Sequence, residues 1–242
     1  MNKMPRQNTS QRLHETLGQI IAAAKPGDQL KSEPELARQL GVARATLREA
    51  MRTFEAQGLI YRKQGSGTFV TRPTQIIDTG LEVLESIETL ARRIGLPVAM
   101  GELRISQHPA NNDEAIGLGI LPGATVLHLS RVILAEGHPV AYLIDILPDD
   151  VLSSDDLVSG FTGSVLDLLI KRGIPVLVSS RTEITAVNAS PEVARSLGIQ
   201  RGDVLLHFTA YLYAETSRVI DYSFSYFLPG YFRFHVVRRI HR

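Results

Sequence analysis

The 242-residue chain contains no cysteine. That excludes disulfide frameworks, thiolate metal sites and a cysteine nucleophile. No apolar run approaches the roughly 18–20 residues that a membrane span needs. The stretch from Met1 to Ser10 is polar and lacks the apolar segment of a signal peptide. Net charge is nearly absent, at +1. These absences lead to the expectation of a cytoplasmic protein with no membrane partner. What is present is ample apolar material: 44% of residues are hydrophobic, enough for packed cores. The length suits two domains better than one.

The small net charge hides an uneven distribution. Residues 1–73 carry twelve Lys/Arg against six Asp/Glu, whereas residues 74–242 carry fourteen against nineteen. A basic segment joined to an acidic one directs the first toward a polyanion. Chance also produces such asymmetry, so the motifs must decide.

Leu13, Leu17, Ile20, Ile21 and Ala24 recur at helical spacing and predict a first helix over about 10–24. Ser32-Glu33-Pro34-Glu35 reads as a helix start, with Ser32 as N-cap and Glu35 completing a capping box. Gly41 closes that short helix in the left-handed conformation that glycine adopts cheaply. A third helix is expected over about 43–57. Leu47, Ala50, Met51 and Phe54 make its buried stripe, and Arg44, Arg48 and Arg52 lie on another face. Two short helices joined by a glycine turn, the second bearing an arginine row, form the helix-turn-helix pattern. Guanidinium forks suit phosphates and guanine edges alike. Next, Gly58 to Val70 reads as two apolar strands flanking a Gly-Ser-Gly tip, which predicts a β-hairpin, or wing, with Arg62, Lys63 and Gln64 beside the tip.

These residues together resemble the DNA-binding domain of the GntR family of regulators. The resemblance runs through Lys31-Ser32-Glu33-Pro34-Glu35-Leu36-Ala37, Gly41-Val42-Ala43-Arg44-Ala45-Thr46-Leu47-Arg48-Glu49-Ala50, Glu55-Ala56-Gln57-Gly58-Leu59-Ile60 and Gly65-Ser66-Gly67-Thr68-Phe69-Val70. It implies DNA contacts from Arg44, Thr46 and Arg48, with Gly65 and Gly67 serving the wing. Pro34 stands where the family commonly has arginine, Lys31 where it has proline, and Ala43 and Ala45 where it has Ser and Thr. The candidate DNA-binding set is Lys31, Ser32, Arg44, Thr46, Arg48, Gln64, Gly65 and Gly67.

The rest of the chain, after a linker at about 71–80 and a helix expected over about 81–94, repeats itself with an offset of 79 residues. Ala110, Ala115, Leu118-Gly119-Ile120 and Gly123 map onto Ala189, Ala194, Leu197-Gly198-Ile199 and Gly202. Leu127-His128 maps onto Leu206-His207, Ala135-Glu136 onto Ala214-Glu215, and Val140 onto Val219. Each unit reads strand, short helix, strand, turn, strand. Two such units predict a six-stranded antiparallel sheet and an α+β class. This pattern, with its Leu-Pro-Gly turn and the closing Asp221-Tyr222-Ser223-Phe224-Ser225-Tyr226-Phe227, resembles the UTRA domain of the HutC branch of GntR regulators. The resemblance implies a chorismate-lyase-like fold, a small-molecule effector and a homodimer on a palindromic DNA operator. The expected domains are 1–73, a winged helix-turn-helix, and 76–242, for effector binding and dimerisation.

The family's anion-holding Ser, Arg and Ser are matched by Ser86, Arg131 and Ser164, and Asp221 takes the place of a ligand-facing glutamate. Ile133, Leu166 and Leu143-Ile144 replace polar residues of the pattern. A monocarboxylate or an apolar metabolite is thus expected rather than a phosphosugar. Blander readings stand beside these. Arg131 can pair with Asp145 or Glu183, and Ser164 can cap the helix 165–172. The equivalent His128 and His207 suit a structural role better than a metal pair. Tyr211, Tyr213, Tyr222, Tyr226 and Tyr231 suit the sheet and core. No Ser-His-Asp set, phosphate loop or metal cluster is legible, so no catalytic residue, metal or cofactor is expected. An enzyme reading would rest on fold analogy alone. The remaining alternative is an architectural DNA binder whose second domain only dimerises.

Overall fold

The computed structural model describes residues 9–56, 58–63, 66–70, 76–158 and 161–238. Gln64 and Gly65 at the expected wing tip, and most of the expected linker, lie outside the described residues. The chain divides into two compact units, one formed by residues up to Ile76 with Pro229–Tyr231, the other by Ile77–Leu228 with the segment from Phe232.

The first unit contains α1 (Thr9–Ala23), α2 (Glu33–Leu40), α3 (Arg44–Ala56), β1 (Ile60–Lys63) and β2 (Gly67–Val70). Leu13, Leu17 and Ile21 of α1 meet Leu36 of α2, Leu47, Met51 and Phe54 of α3, and Ile60 and Val70 of the hairpin in one core. Ser32 caps α2 as expected: its N–H donates to the Glu35 carboxylate at 3.1 Å and its hydroxyl to the same oxygen at 2.6 Å. Gly41 takes φ 65°, and its N–H turns back to the carbonyls of Ala37 and Arg38. β1 and β2 pair antiparallel from Ile60–Val70 to Lys63–Gly67, forming the wing.

The second unit runs β3 (Ile77–Gly80), α4 (Ile87–Arg93), β4 (Val98–Pro109), α5 (Asn112–Leu118), β5 (Thr125–Ala135), β6 (His138–Pro148), α6 (Ser154–Val158), α7 (Val165–Arg172), β7 (Leu177–Asn188), α8 (Pro191–Leu197), β8 (Val204–Ala214), β9 (Val219–Phe227) and β10 (Phe232–His235). Six strands form one antiparallel sheet in the order β4-β5-β6-β9-β8-β7. α4 is shorter than the helix expected over 81–94. Ile77–Gly80 is drawn into a parallel pair with β10, and the Leu81 N–H still donates to the His235 carbonyl at 3.0 Å. The helix then starts where the Ser86 hydroxyl accepts the Thr89 N–H at 3.0 Å. Leu81 and Leu84 extend its apolar periodicity upstream, but they line a cavity instead of a helical stripe.

The internal repeat is carried by the structure element for element. An offset of 79 takes the bounds of β4 onto β7, α5 onto α8 and β5 onto β8. Beyond the hairpin turn the offset becomes 80, because Ile133 pairs with Ala141 whereas Leu212 pairs with Asp221. The second turn is one residue longer, so Val140 corresponds to Ile220 rather than to Val219; both are fully buried. The halves meet along β6 and β9, and α5 of the first half packs on β9 of the second while α8 packs on β6. Gly117 of α5 makes the first crossing possible: a Cβ there would lie 2.6 Å from the Tyr222 ring. Its equivalent, Ser196, hydrogen-bonds the hydroxyl of Tyr142, the equivalent of Tyr222.

Replacing a helical glycine by alanine normally gains about 1 kcal/mol of helix propensity. Here Gly117→Ala is expected to destabilise the protein, by roughly 1–3 kcal/mol, because the Tyr222 ring must move within packed surroundings. Urea unfolding measures this, and an increase in stability would show that the ring yields freely.

Candidate DNA interface and effector cavity

On α3 the buried Leu47, Met51 and Phe54 fix the helix by one side. Arg44, Thr46 and Arg48 project into solvent from the other, as the spacing predicts. Arg48 meets Glu33 at the start of α2, Nη2 to Oε2, at 2.9 Å, and Arg52 meets Glu49 at 3.2 Å. Lys31 reaches Gln39 at 3.0 Å. Arg44 has no carboxylate within ion-pair distance among the described residues. Gly67 opens β2 at φ 118°, where the Gln29 side chain passes and donates to the Ser66 carbonyl at 2.7 Å. A residue missed in the sequence organises this face: Glu33 holds Arg48 of α3 and, at 3.3 Å, Arg62 of β1. Arg62 also approaches Glu55 at 3.6 Å and is largely covered, so this arginine braces the wing strand against α2 and α3. Its capacity for pairing was legible, but only the folded chain brings Glu33, Arg48 and Arg62 together.

In the second unit one cavity of about 900 Å³ opens between the sheet, the segment 79–88, α7 and β10. Ser86, Arg131, Ser164 and Asp221, chosen from the sequence, all line it. Leu143 and Leu166 also line it, whereas Ile133 is buried and Ile144 packs on the other sheet face. Of the two carboxylates open to Arg131 in the sequence, Asp145 takes it, in a buried ion pair. Glu183 pairs with Arg181 at 2.6 Å instead. Ser164 is the N-cap of α7, accepting the Asp167 N–H at 3.0 Å. The Ser86 hydroxyl donates to the Asp167 carboxylate at 2.7 Å. One aspartate thus ties the two helix caps together at the edge of the cavity.

Two carboxyls here form no ion pair among the described residues. Asp221 Oδ1 and Glu88 Oε1 are buried and have no hydrogen-bond partner. Burial pushes the Asp221 carboxyl well above the ordinary range; neighbouring Asp145 adds to the rise, and Arg131 opposes it. Burial raises Glu88 as well, with Asp167 and Asp145 contributing and its own backbone N–H and Arg131 opposing.

The histidines sit on the opposite face of the sheet. Burial lowers both His128 and His207. His207 lies against Tyr226, with ring centroids 4.6 Å apart. His128 lies 5.9 Å from His108, which contacts Glu114 at 3.0 Å. Tyr211 and Tyr222 stack at 5.1 Å, and none of the tyrosines singled out in the sequence lines the cavity.

Comparison with known proteins fits this division. Residues 9–70 match the model of the bacterial regulatory proteins of the gntR family, and residues 95–233 that of the UTRA domain. The chain belongs to the GntR family. The chain is similar to the histidine utilization repressor of Pseudomonas putida, 29% identical over 75% of this chain and 71% of that one. It is also similar to the HTH-type transcriptional repressor NagR of Bacillus subtilis, 26% identical over 83% and 82%. The crystal structure of PhnF from Mycobacterium smegmatis superposes over 95% of this chain and all of that one, with a TM-score of 0.63 and 25% identity. This GntR-family protein is a DNA-binding transcriptional regulator whose UTRA domain is an effector-binding module. The fold is α+β, with an antiparallel UTRA sheet following the helix-turn-helix, as the sequence implies.

Two expectations follow. Glu33→Gln frees Arg48 from its carboxylate, while Arg62 keeps Glu55, so the log–log salt dependence of DNA binding should steepen by about one phosphate contact; an unchanged slope would mean that Arg48 does not reach the phosphates. The second concerns Asp221. Its folded form favours the proton more than its unfolded form does, so folding loses stability as pH rises from the unfolded pKa toward the folded one. Asp221→Asn should therefore stabilise the protein at pH 8. The gain should vanish below about pH 4, where both states are protonated. Thermal unfolding at the two pH values checks this.

Proposed function

We propose that this GntR-family chain is a repressor that acts as a homodimer on a palindromic operator, and that a small molecule seated in the UTRA cavity modulates its grip. The observation that carries the reading is the convergence of Ser86, Arg131, Ser164 and Asp221 on one large cavity, in a unit separate from the one bearing the exposed face of α3. In the DNA-binding unit Arg44, Thr46 and Arg48 read bases and phosphates, while Lys31, Ser32 and the wing around Gln64, Gly65 and Gly67 hold the backbone. Dimer symmetry would set half-sites about one helical turn, roughly 10 bp, apart or a multiple of that. Relatives named as repressors support the direction of control.

Effector binding changes affinity by population shift between dimer states, with coupling of about 1–3 kcal/mol, or roughly 5- to 150-fold. The cavity does not favour the carboxylate expected from the sequence, because Asp145 already occupies the Arg131 charge. Leu143, Leu166, Phe208, Leu212 and Phe227 along the wall support an apolar body for the effector. Arg44→Ala should abolish sequence-specific operator binding in a gel-shift assay and leave the oligomer intact by light scattering. Operator affinity equal to the parent's would remove α3 from the reading.

A further inference from the structure

The cavity's charge inventory is lopsided. Among the described residues, Glu82, Glu85, Glu88, Asp145 and Asp221 line it, with Arg131 as the one cation. Three of these carboxylates are satisfied within the fold. Asp145 holds Arg131, Glu85 holds Arg93, and Glu82 accepts the Val237 N–H. Asp221 and Glu88 are left, each with a buried oxygen that accepts nothing. Asp221 is only 6% exposed. A buried acceptor without a donor costs about 1–3 kcal/mol and more when charged, so such a group is retained where something else supplies the donor. Both carboxyls lie in the field of the same Arg131–Asp145 pair. An incoming anion would meet a guanidinium already neutralised and two further carboxyls. An incoming cation would supply what both lack.

We propose that the effector is an organic cation, a primary amine or amidine, whose charged head hydrogen-bonds Asp221 and Glu88. Its apolar body lies along Leu143, Leu166, Phe208, Leu212 and Phe227, which line the same cavity. Arg131 Nε, which has no acceptor, is free to donate to a neutral oxygen beside the amine. This deepens the reading of the cavity as the effector site and rests on it. Burial raises the proton affinity of Asp221, so an ammonium seated beside it favours release of any proton the carboxyl carries. The groups facing Asp221 and Glu88 are Arg131 on β5, Asp145 on β6 and Asp167 on α7, with Ser86 and Ser164 the uncharged polar neighbours.

The test is isothermal titration of the full-length protein near pH 7 with 2-phenylethylamine, 2-phenylethanol and 3-phenylpropionate, a set that varies charge on one apolar body. The amine is expected to bind at least about tenfold more tightly than the alcohol, with the carboxylate weakest. Measured heats should differ between buffers of different ionisation enthalpy, reporting the released proton. Asp221→Asn or Glu88→Gln should remove about tenfold of the amine's affinity and leave the alcohol's unchanged, which also certifies the fold. A carboxylate that binds best, three equal affinities, or no amine binding at millimolar concentration overturns the cation. A cavity-filling variant, Ala210→Trp, separates the two readings. If it abolishes binding of a preferred carboxylate, the cavity stands and the cation falls. If amine binding survives it undiminished, the cavity itself is not the site and both fall.

Discussion

A guanidinium inside a β-sheet cannot be left alone. Arg131 is 4% exposed, and an uncompensated charge in such a place costs several kcal/mol. Its direct partner across the strands is Leu143, so compensation comes from the diagonal neighbour Asp145 on the same face. Asp145 in turn stands opposite Ser223, which brings Asp221 in diagonally from β9. One cation and two carboxyls thus follow one another across three adjacent strands. The first carboxyl neutralises the arginine. The second, beside it, cannot ionise cheaply as well, and its proton affinity rises. The polar character of the cavity floor follows from that sequence of constraints.

The duplicated architecture makes this focus single. At the offsets of the repeat, Arg131 corresponds to Ala210, Asp145 to Ser225 and Asp221 to Ala141. The two halves share strands, helices and the crossing of α5 and α8, but the charges belong to no symmetric pair. Uncharged equivalents let the second half contribute small and apolar wall to the cavity, as Ala210 and Ser225 do. A scaffold with approximate two-fold symmetry thereby carries an asymmetric charge cluster on the wall of this cavity.

Much of this was legible beforehand. Helical periodicity, the Ser32–Glu35 box and the Gly41 cap located the helix-turn-helix because each is a local signal with one structural solution. The repeat located the sheet because an offset of 79 residues leaves a mark at every strand. What was not legible was whatever long-range pairing decides. The parallel pair of β3 and β10 joins segments some 155 residues apart, and the helix expected from 81 lost its first turns to the cavity wall. Ser86 and Ser164 were found by resemblance, yet their attachment to Asp167 is set by the packing of α4 against α7. The choice of Asp145 over Glu183 for Arg131 depends on register, which no spacing along the chain records.

The two units use arginine in opposite electrostatic regimes. On α3 the Arg48–Glu33 pair is half exposed, and such pairs contribute only about 0–1 kcal/mol. Exchanging the glutamate for a phosphate there is cheap, and the partner of Arg48 is replaceable by design of its surroundings. Arg131 has no such freedom, since removing Asp145 would strand a charge away from water at a cost of about 3–5 kcal/mol. An arginine that is to meet a ligand anion must be able to give up its first partner. Arg48 can, and Arg131 cannot. The same chemical fork therefore keeps an exchangeable partner in the DNA-binding unit, and in the UTRA domain it fixes the position of the carboxylates around it.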